Sequence, residues 1–219
     1  MRALAFSGGK DSMACLHLMK DQLDCAIYVN AGYSYPETLA MVDYAGRFLK
    51  VHVVNSRRPD VIPADLVPAD WTVDGQAYTT PKPITVVSYH ECCNASLAAP
   101  LFAEAQRLGV TELVCGQRNE ESHKATSRDG DMVMGIKRLH PIEDWTEAEV
   151  LGYLETQMTV PPHFYTIKHS SLDCYDCTGY RAESKDRLEW TAQAHPMFFL
   201  RYQARRDALD GAIKEAMNG

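Results

Sequence analysis

Short apolar runs alternate with longer mixed segments along this chain. Leu4 to Phe6, Ala26 to Val29, Val51 to Val54 and Glu112 to Cys115 read as buried strands. Met13 to Met19, Pro36 to Phe48 and Ser96 to Leu108 read as helices. Thr146 to Gln157 reads as another, with Thr146 as its cap, and Pro161-Pro162 stops the pattern. From Ser184 onward the chain is helical again, broken at Pro196. This order predicts an α/β fold with three αβα layers. Its mostly parallel sheet has about five strands, covered on both faces, with a C-terminal helical tail. The expected division is a domain over residues 1–180 and a helical extension over 181–219.

In such sheets the ligand sits beyond the carboxyl ends of the strands. Ser7 to Ser12, Asn30-Ala31-Gly32 and Gly116-Gln117-Arg118 all fall at strand ends and are expected to line one crevice. Pro59 to Pro83 interrupts the alternation with Pro59, Pro63, Pro68, Pro81 and Pro83. It reads as an irregular insertion that Trp71 and Tyr78 pack down. No internal repeat and no low-complexity segment is present.

The 219 residues are enough for one domain with a large core, and 46% hydrophobic with 23% charged residues is a globular balance. No apolar run reaches membrane-spanning length, and the first residues lead straight into a loop without a signal-peptide pattern. A cytoplasmic protein with no membrane partner is expected. The net charge of −7 argues against indiscriminate nucleic-acid binding. Arg201, Arg205 and Arg206 share one predicted helix and read as a solvated face.

The chemistry begins at Ser7-Gly8-Gly9-Lys10-Asp11-Ser12, between the first strand and its helix. A glycine pair there lets backbone N–H groups turn toward one point, and the helix N-terminus adds partial positive charge. Lys10 adds a full charge. Ser7 and Ser12 offer hydroxyls to phosphate oxygens, and Asp11 suits a water-bridged magnesium ion. The string is neither G-x-x-x-x-G-K-[ST] nor G-x-G-x-x-G.

Of seven cysteines, Cys15, Cys25 and Cys115 have apolar neighbours and read as small core residues. Cys92 and Cys93 are adjacent, and Cys174 and Cys177 form a C-x-x-C about eighty residues later. A C-x-x-C alone suits a redox pair or half a zinc site. Two pairs supply four thiolate ligands, enough for zinc or an iron–sulfur cluster.

The string S-G-G-K-D-S resembles the PP-loop of the ATP pyrophosphatases, or adenine nucleotide alpha hydrolases. The C-C pair followed by C-x-x-C resembles the four-cysteine site of the adenylyl sulfate reductases, which bind a [4Fe–4S] cluster. Asn30-Ala31-Gly32-Tyr33, Pro36-Glu37-Thr38, Gly116-Gln117-Arg118, Pro141, Trp145-Thr146 and Pro161-Pro162 follow the order of the phosphoadenosine phosphosulfate (PAPS) reductase-like family. The resemblance covers roughly residues 3 to 180. It implies an adenine-nucleotide site at Ser7, Gly8, Gly9, Lys10, Asp11, Ser12, Asn30 and Gly116. Lys10, Asp11 and Arg118 would be catalytic, with Arg118 meeting the anionic part of the substrate. It implies a metal centre at Cys92, Cys93, Cys174 and Cys177, a [4Fe–4S] cluster with zinc as the alternative. Tyr175 and Tyr180 are expected to pack around it.

Two departures shape the functional expectation. The reductases of this family carry a nucleophilic cysteine near their carboxyl terminus, whereas this sequence shows none after Cys177. The cluster-bearing ones place basic residues after the C-C pair, whereas Asn94-Ala95-Ser96-Leu97 stands here. The complete phosphate loop suits ATP. The expected activity is therefore cleavage of Mg-ATP between the α and β phosphates to adenylate an acceptor, in sulfur transfer. A sulfonucleotide reductase yielding sulfite and AMP is the first alternative, and a non-catalytic nucleotide-binding subunit the second. The acceptor is a nucleic acid or a small molecule, with a sulfur-donor protein or thiol reductant as partner; a homo-oligomer is allowed for. His90 reads as a helix-start surface residue, Glu120, Glu121 and His123 as a solvated loop, and His169 as a candidate for the crevice.

Overall fold

The structure is a computed structural model that describes residues 1–57, 72–73, 76–77, 88–120, 127–167, 172–179 and 184–218. The chain opens with β1 (Arg2–Ala5), α1 (Lys10–Met19), β2 (Cys25–Asn30), α2 (Pro36–Ala45) and β3 (Val51–Asn55). A short antiparallel pair, β4 (Thr72–Val73) and β5 (Gln76–Ala77), follows. Next come α3 (Tyr89–Cys93), one π-helical turn (Asn94–Ala98) and α4 (Ala99–Leu108). β6 (Glu112–Val114), β7 (Met132–Val133), β8 (Ile136–Leu139), α5 (Glu147–Gln157) and α6 (His163–Thr166) complete the α/β part. Two helices, α7 (Lys185–Ala194) and α8 (Pro196–Asn218), end the chain. Apart from β4 and β5, the insertion between Pro59 and Pro83, with Trp71 and Tyr78, lies outside the described residues. So do Glu121, His123, His169, Tyr180 and the expected boundary at residue 180.

The main sheet has six strands in the order β3-β2-β1-β6-β8-β7, parallel except for β7. Four strands coincide with the apolar runs. β8 carries Lys137 and Arg138, so it offers no such run, and a two-residue turn at Met134 (φ 51°) and Gly135 (φ 80°) folds β7 back onto it. Successive residues of each strand face opposite layers. Leu4, Phe6, Tyr28 and Val114 pack with Met13 and Leu16 of α1 and Val150 and Leu154 of α5. Ala3, Cys25, Ile27, Leu113 and Cys115 pack with Phe102 and Ala105 of α4. Each large apolar side chain buried here stabilises the fold by about 1.5–3 kcal/mol. Cys15, Cys25 and Cys115 are core residues as expected. Burial raises all three thiols, Cys115 to about 11.

The helices begin where their chemistry allows. Thr146 caps α5 with Glu149 in a reciprocal capping box, as its sequence predicts. Ser88 and Glu91 make the same box at α3, where His90 is exposed as expected. Pro36 opens α2 at a position where its missing N–H is harmless.

The C-terminal helices pack onto the α/β layers. The hydroxyls of Tyr35 and Thr191, both fully buried, lie 2.6 Å apart. His195 Nε2 lies 2.9 Å from the Glu37 carboxylate, and Trp190 meets the rings of Tyr35 and His163. The expected solvated arginine face holds at the exposed Arg201 and at Arg206, whose side chain is 38% exposed, and is corrected at Arg205. Arg201 reaches the Tyr175 hydroxyl at 3.1 Å, and the largely buried Arg205 pairs with Asp176 at 3.9 Å. Among the described residues no helix is long and apolar enough to cross a membrane.

Candidate active site

The strand order reverses beside β1: β2 and β3 lie on one side, β6 and β8 on the other. The loops after β1 and β6 therefore diverge around one crevice, where parallel α/β sheets hold their ligands. The loop after β1 is Ser7-Gly8-Gly9, leading into α1 at Lys10. Gly8 has φ 75°, and a Cβ there would lie 3.0 Å from Thr38 Cγ2 and 3.1 Å from the Thr38 carbonyl oxygen. The loop thus rests directly on the first turn of α2, with a backbone that glycine alone adopts easily.

No side chain caps the N-terminus of α1. Its first-turn N–H groups and its dipole are left to an anion. The serines brace the loop from within. Ser12 donates to the Gly9 carbonyl at 2.9 Å, Ser7 Oγ lies 3.3 Å from Ser12 Oγ, and Gly9 N–H points to Ser7 Oγ at 3.4 Å.

A line of alternating charges runs out from this loop. Lys10 is 7% exposed, with Nζ 3.3 Å from Asp11 and 3.8 Å from Glu147. Arg118 is 2% exposed and donates Nε to Asp11 at 2.7 Å and Nη1 to Glu120 at 2.6 Å. Glu120 in turn accepts the Glu147 N–H at 3.0 Å, at the first turn of α5. The Arg118 hydrogen bond, followed by the Glu147 N–H, lowers the Glu120 carboxyl below its ordinary value. Glu120 is therefore tied into the site while half of its side chain stays exposed, as expected for this loop. The structure brings Lys10, Asp11 and Arg118 together as expected, with Arg118 braced against Asp11.

Gly116 and Asn30 take building roles. A Cβ on Gly116 would lie 2.7 Å from the Asp11 carbonyl carbon and 2.8 Å from Ser12 N, so the end of β6 seats directly on the start of α1. Asn30 Oδ1 accepts the Gly32 N–H at 2.8 Å and shapes the turn after β2.

The C-x-x-C turn sits at the neighbouring strand end. Thr38 donates to the Leu172 carbonyl at 2.9 Å, and Tyr175 N–H to the Tyr33 carbonyl at 2.9 Å. Tyr175 stacks on Phe198 at 4.1 Å between centroids. Within the turn Cys177 N–H donates to the Cys174 carbonyl at 3.2 Å. Cys92, Cys93, Cys174 and Cys177 are all partly exposed, and none is in a disulfide. Cys93 lies near enough to Cys177 to feel its charge. Burial, then the charge of Cys177 and of Asp173, raises its thiol to about 11. The buried Arg187 guanidinium, with an orphaned Nε, touches the same turn. The geometry does not gather the two cysteine pairs into a metal site. Among the described residues no three His, Cys, Asp or Glu side chains stand within metal-holding distance of one another.

Sequence reasoning missed Glu147 and Arg187, whose contacts are distant in sequence and marked by no local motif.

A family model for the phosphoadenosine phosphosulfate reductase domain matches residues 2–180. The adenosine 5'-phosphosulfate reductase of Rhodococcus erythropolis is 23% identical over 163 residues, which is 73% of this chain and 61% of that protein. The phosphoadenosine 5'-phosphosulfate reductase of Alkalilimnicola ehrlichii is 26% identical over 73% of this chain and 62% of its own length. The chain spans about three-fifths of the length of these curated relatives. Among solved structures, the phosphate complex of PAPS reductase from Candida auris shares the fold. Its TM-score is 0.52 at 14% identity, over 81% of this chain and 82% of that one.

Proposed function

This chain belongs to the phosphoadenosine phosphosulfate reductase domain family, and we propose that within it the chain is an ATP-using, adenylating enzyme of sulfur transfer. The observation that carries this reading is the complete loop: a left-handed Gly8, an α1 N-terminus with no side-chain cap, and Lys10 at its first position. That arrangement matches the charge of a departing pyrophosphate.

In the proposed reaction an acceptor oxygen attacks the α-phosphorus of ATP. The bond from that phosphorus to the α–β bridging oxygen breaks, and pyrophosphate leaves with the electron pair. Lys10 and the first-turn N–H groups of α1 hold the charge that develops on it. Asp11, fixed by Arg118, is the residue that would hold magnesium through water. Magnesium supplies further charge neutralisation when bound. Arg118 acts here chiefly by holding Asp11. The adenylated oxygen then becomes a good leaving group for a sulfur nucleophile, brought by a sulfur-donor protein or thiol.

The family resemblance implies a [4Fe–4S] cluster, or zinc, at Cys92, Cys93, Cys174 and Cys177, but among the described residues these side chains do not stand at metal-holding distance of one another.

A second reading, reduction of a sulfonucleotide to sulfite and AMP, is favoured by the names of the curated relatives. It needs a thiolate nucleophile. Cys15, Cys25 and Cys115 are buried with raised thiols, which disfavours them for that role.

The test is product analysis under anaerobic conditions with labelled ATP and, separately, adenylyl sulfate. AMP and pyrophosphate from ATP support adenylation. ADP and phosphate contradict it, and sulfite from adenylyl sulfate establishes the second reading.

A further inference from the structure

We propose that Glu147 is a specificity-determining residue of the nucleotide crevice: its carboxylate admits a polyphosphate carried as its magnesium complex and disfavours one that is metal-free. The inference rests on reading the α1 cradle as a nucleotide site. Glu147 opens α5, where the capping box is made by Thr146 and Glu149. The Glu147 carboxylate takes no part in that box. It reaches across to α1 instead, where Oε2 lies 3.8 Å from Lys10 Nζ. Its backbone N–H donates to Glu120 at 3.0 Å, which fixes the main chain from which the carboxylate projects.

At 3.8 Å this contact is Coulombic and not a hydrogen bond. A lysine ammonium has three donors, and Asp11 takes one of them at 3.3 Å. A phosphate oxygen bound to Lys10 Nζ would sit about 2.8 Å from it, and so within about 7 Å of the Glu147 carboxylate. Like charges that close, in a partly desolvated crevice, repel. The contact line Glu147–Lys10–Asp11–Arg118–Glu120 already sets three carboxylates against two cations. A metal-free triphosphate or a sulfonucleotide adds further negative charge to that line. Mg-ATP brings its own dication. The N–H groups of the α1 N-terminus accept either form, so the discrimination falls to the carboxylates. Asp11 and Glu120 are each answered by Arg118, at 2.7 Å and 2.6 Å. Among the described residues the Glu147 carboxylate has Lys10 as its cation, at 3.8 Å, and its charge is the least neutralised of the three.

This role predicts a change in ligand preference that a carboxylate serving only the α5 dipole does not. The full chain is titrated calorimetrically with Mg-ATP, with ATP in excess chelator and with adenylyl sulfate in excess chelator, all at one ionic strength. Wild type is compared with Glu147→Gln and Glu147→Asp, and with Glu147→Ala should the glutamine variant not fold. Wild type is expected to bind Mg-ATP in preference to metal-free ATP. In Glu147→Gln, metal-free ATP and adenylyl sulfate should bind about tenfold tighter or more, with Mg-ATP changed far less, as removal of one like charge requires. Glu147→Asp, which keeps the charge, should keep most of the wild-type preference. An unchanged preference in Glu147→Gln, or a loss of Mg-ATP affinity with metal-free ATP unaltered, overturns the role of Glu147 while leaving the nucleotide site standing. Equal affinity of wild type for both forms of ATP does the same. A wild-type chain that binds no adenine nucleotide overturns both.

Discussion

Gly116 presses against the backbone of Asp11, with room for no side chain between them. The contact joins the end of β6 to the start of α1, so the two loops at the strand-order reversal are fixed relative to one another. Gly116→Ala would set a methyl carbon 2.7 Å from a backbone carbon that cannot swing aside. The expected outcome is a loss of about 1–3 kcal/mol in unfolding free energy, as for overpacking of a core. Nucleotide affinity should fall with it, because the displaced atoms belong to the anion cradle. Chemical denaturation with nucleotide titration checks this, and a fully stable alanine variant contradicts it.

The Arg118–Asp11 pair is the next point of stress. Arg118 is buried and its Nε–Oδ1 bond is 2.7 Å long. Arg118→Met removes the cation and leaves Asp11 beside Lys10 alone. Breaking a buried pair from one side costs about 3–5 kcal/mol. Part of the Asp11 side chain reaches solvent, so the lower end is expected. Glu120→Gln should cost far less, since that side chain is half exposed. Thermal melts of the two variants test the ranking; a larger effect for Glu120→Gln would reverse it.

The parts of this architecture written in local sequence were legible there. Ser7-Gly8-Gly9 has a turn composition at the start of α1, and four strands are contiguous apolar runs. Thr146 announces its helix through Glu149 three residues on. β8 was not legible, because Lys137 and Arg138 break the apolar signal and the strand depends on β6 for its partner. Arg205 looked solvated because its partner, Asp176, comes from a turn about thirty residues away in sequence. Gly116 could be assigned to the crevice but not to its packing role, which exists only once α1 lies against it.

Acid stability should follow the buried histidines. Burial lowers His17, His140 and His163 below the ordinary value of 6.5, reinforced by Lys20 at His17 and by Arg138 at His140. His140 Nδ1 and His163 Nε2 are buried without partners, so a proton on either would be stranded. A depressed folded-state pKa means that the unfolded chain binds protons first. The stabilisation is complete above about pH 6.5 and is lost as pH falls below it. Melting temperatures between pH 7.5 and 5 should drop, and His163→Phe should flatten that slope. An unchanged slope in this variant would exclude His163 as a contributor.

The central claim is that the α1 cradle with Lys10 binds the polyphosphate of Mg-ATP. Calorimetric titration of Mg-ATP, and separately of adenylyl sulfate and PAPS, into wild-type and Lys10→Ala protein tests it most directly. The account predicts that Mg-ATP binds wild type in preference to both sulfonucleotides. It predicts affinity at least about tenfold weaker in Lys10→Ala, consistent with loss of a charge-assisted phosphate contact. A sulfonucleotide bound in preference to Mg-ATP, or ATP affinity unchanged in Lys10→Ala, would contradict it.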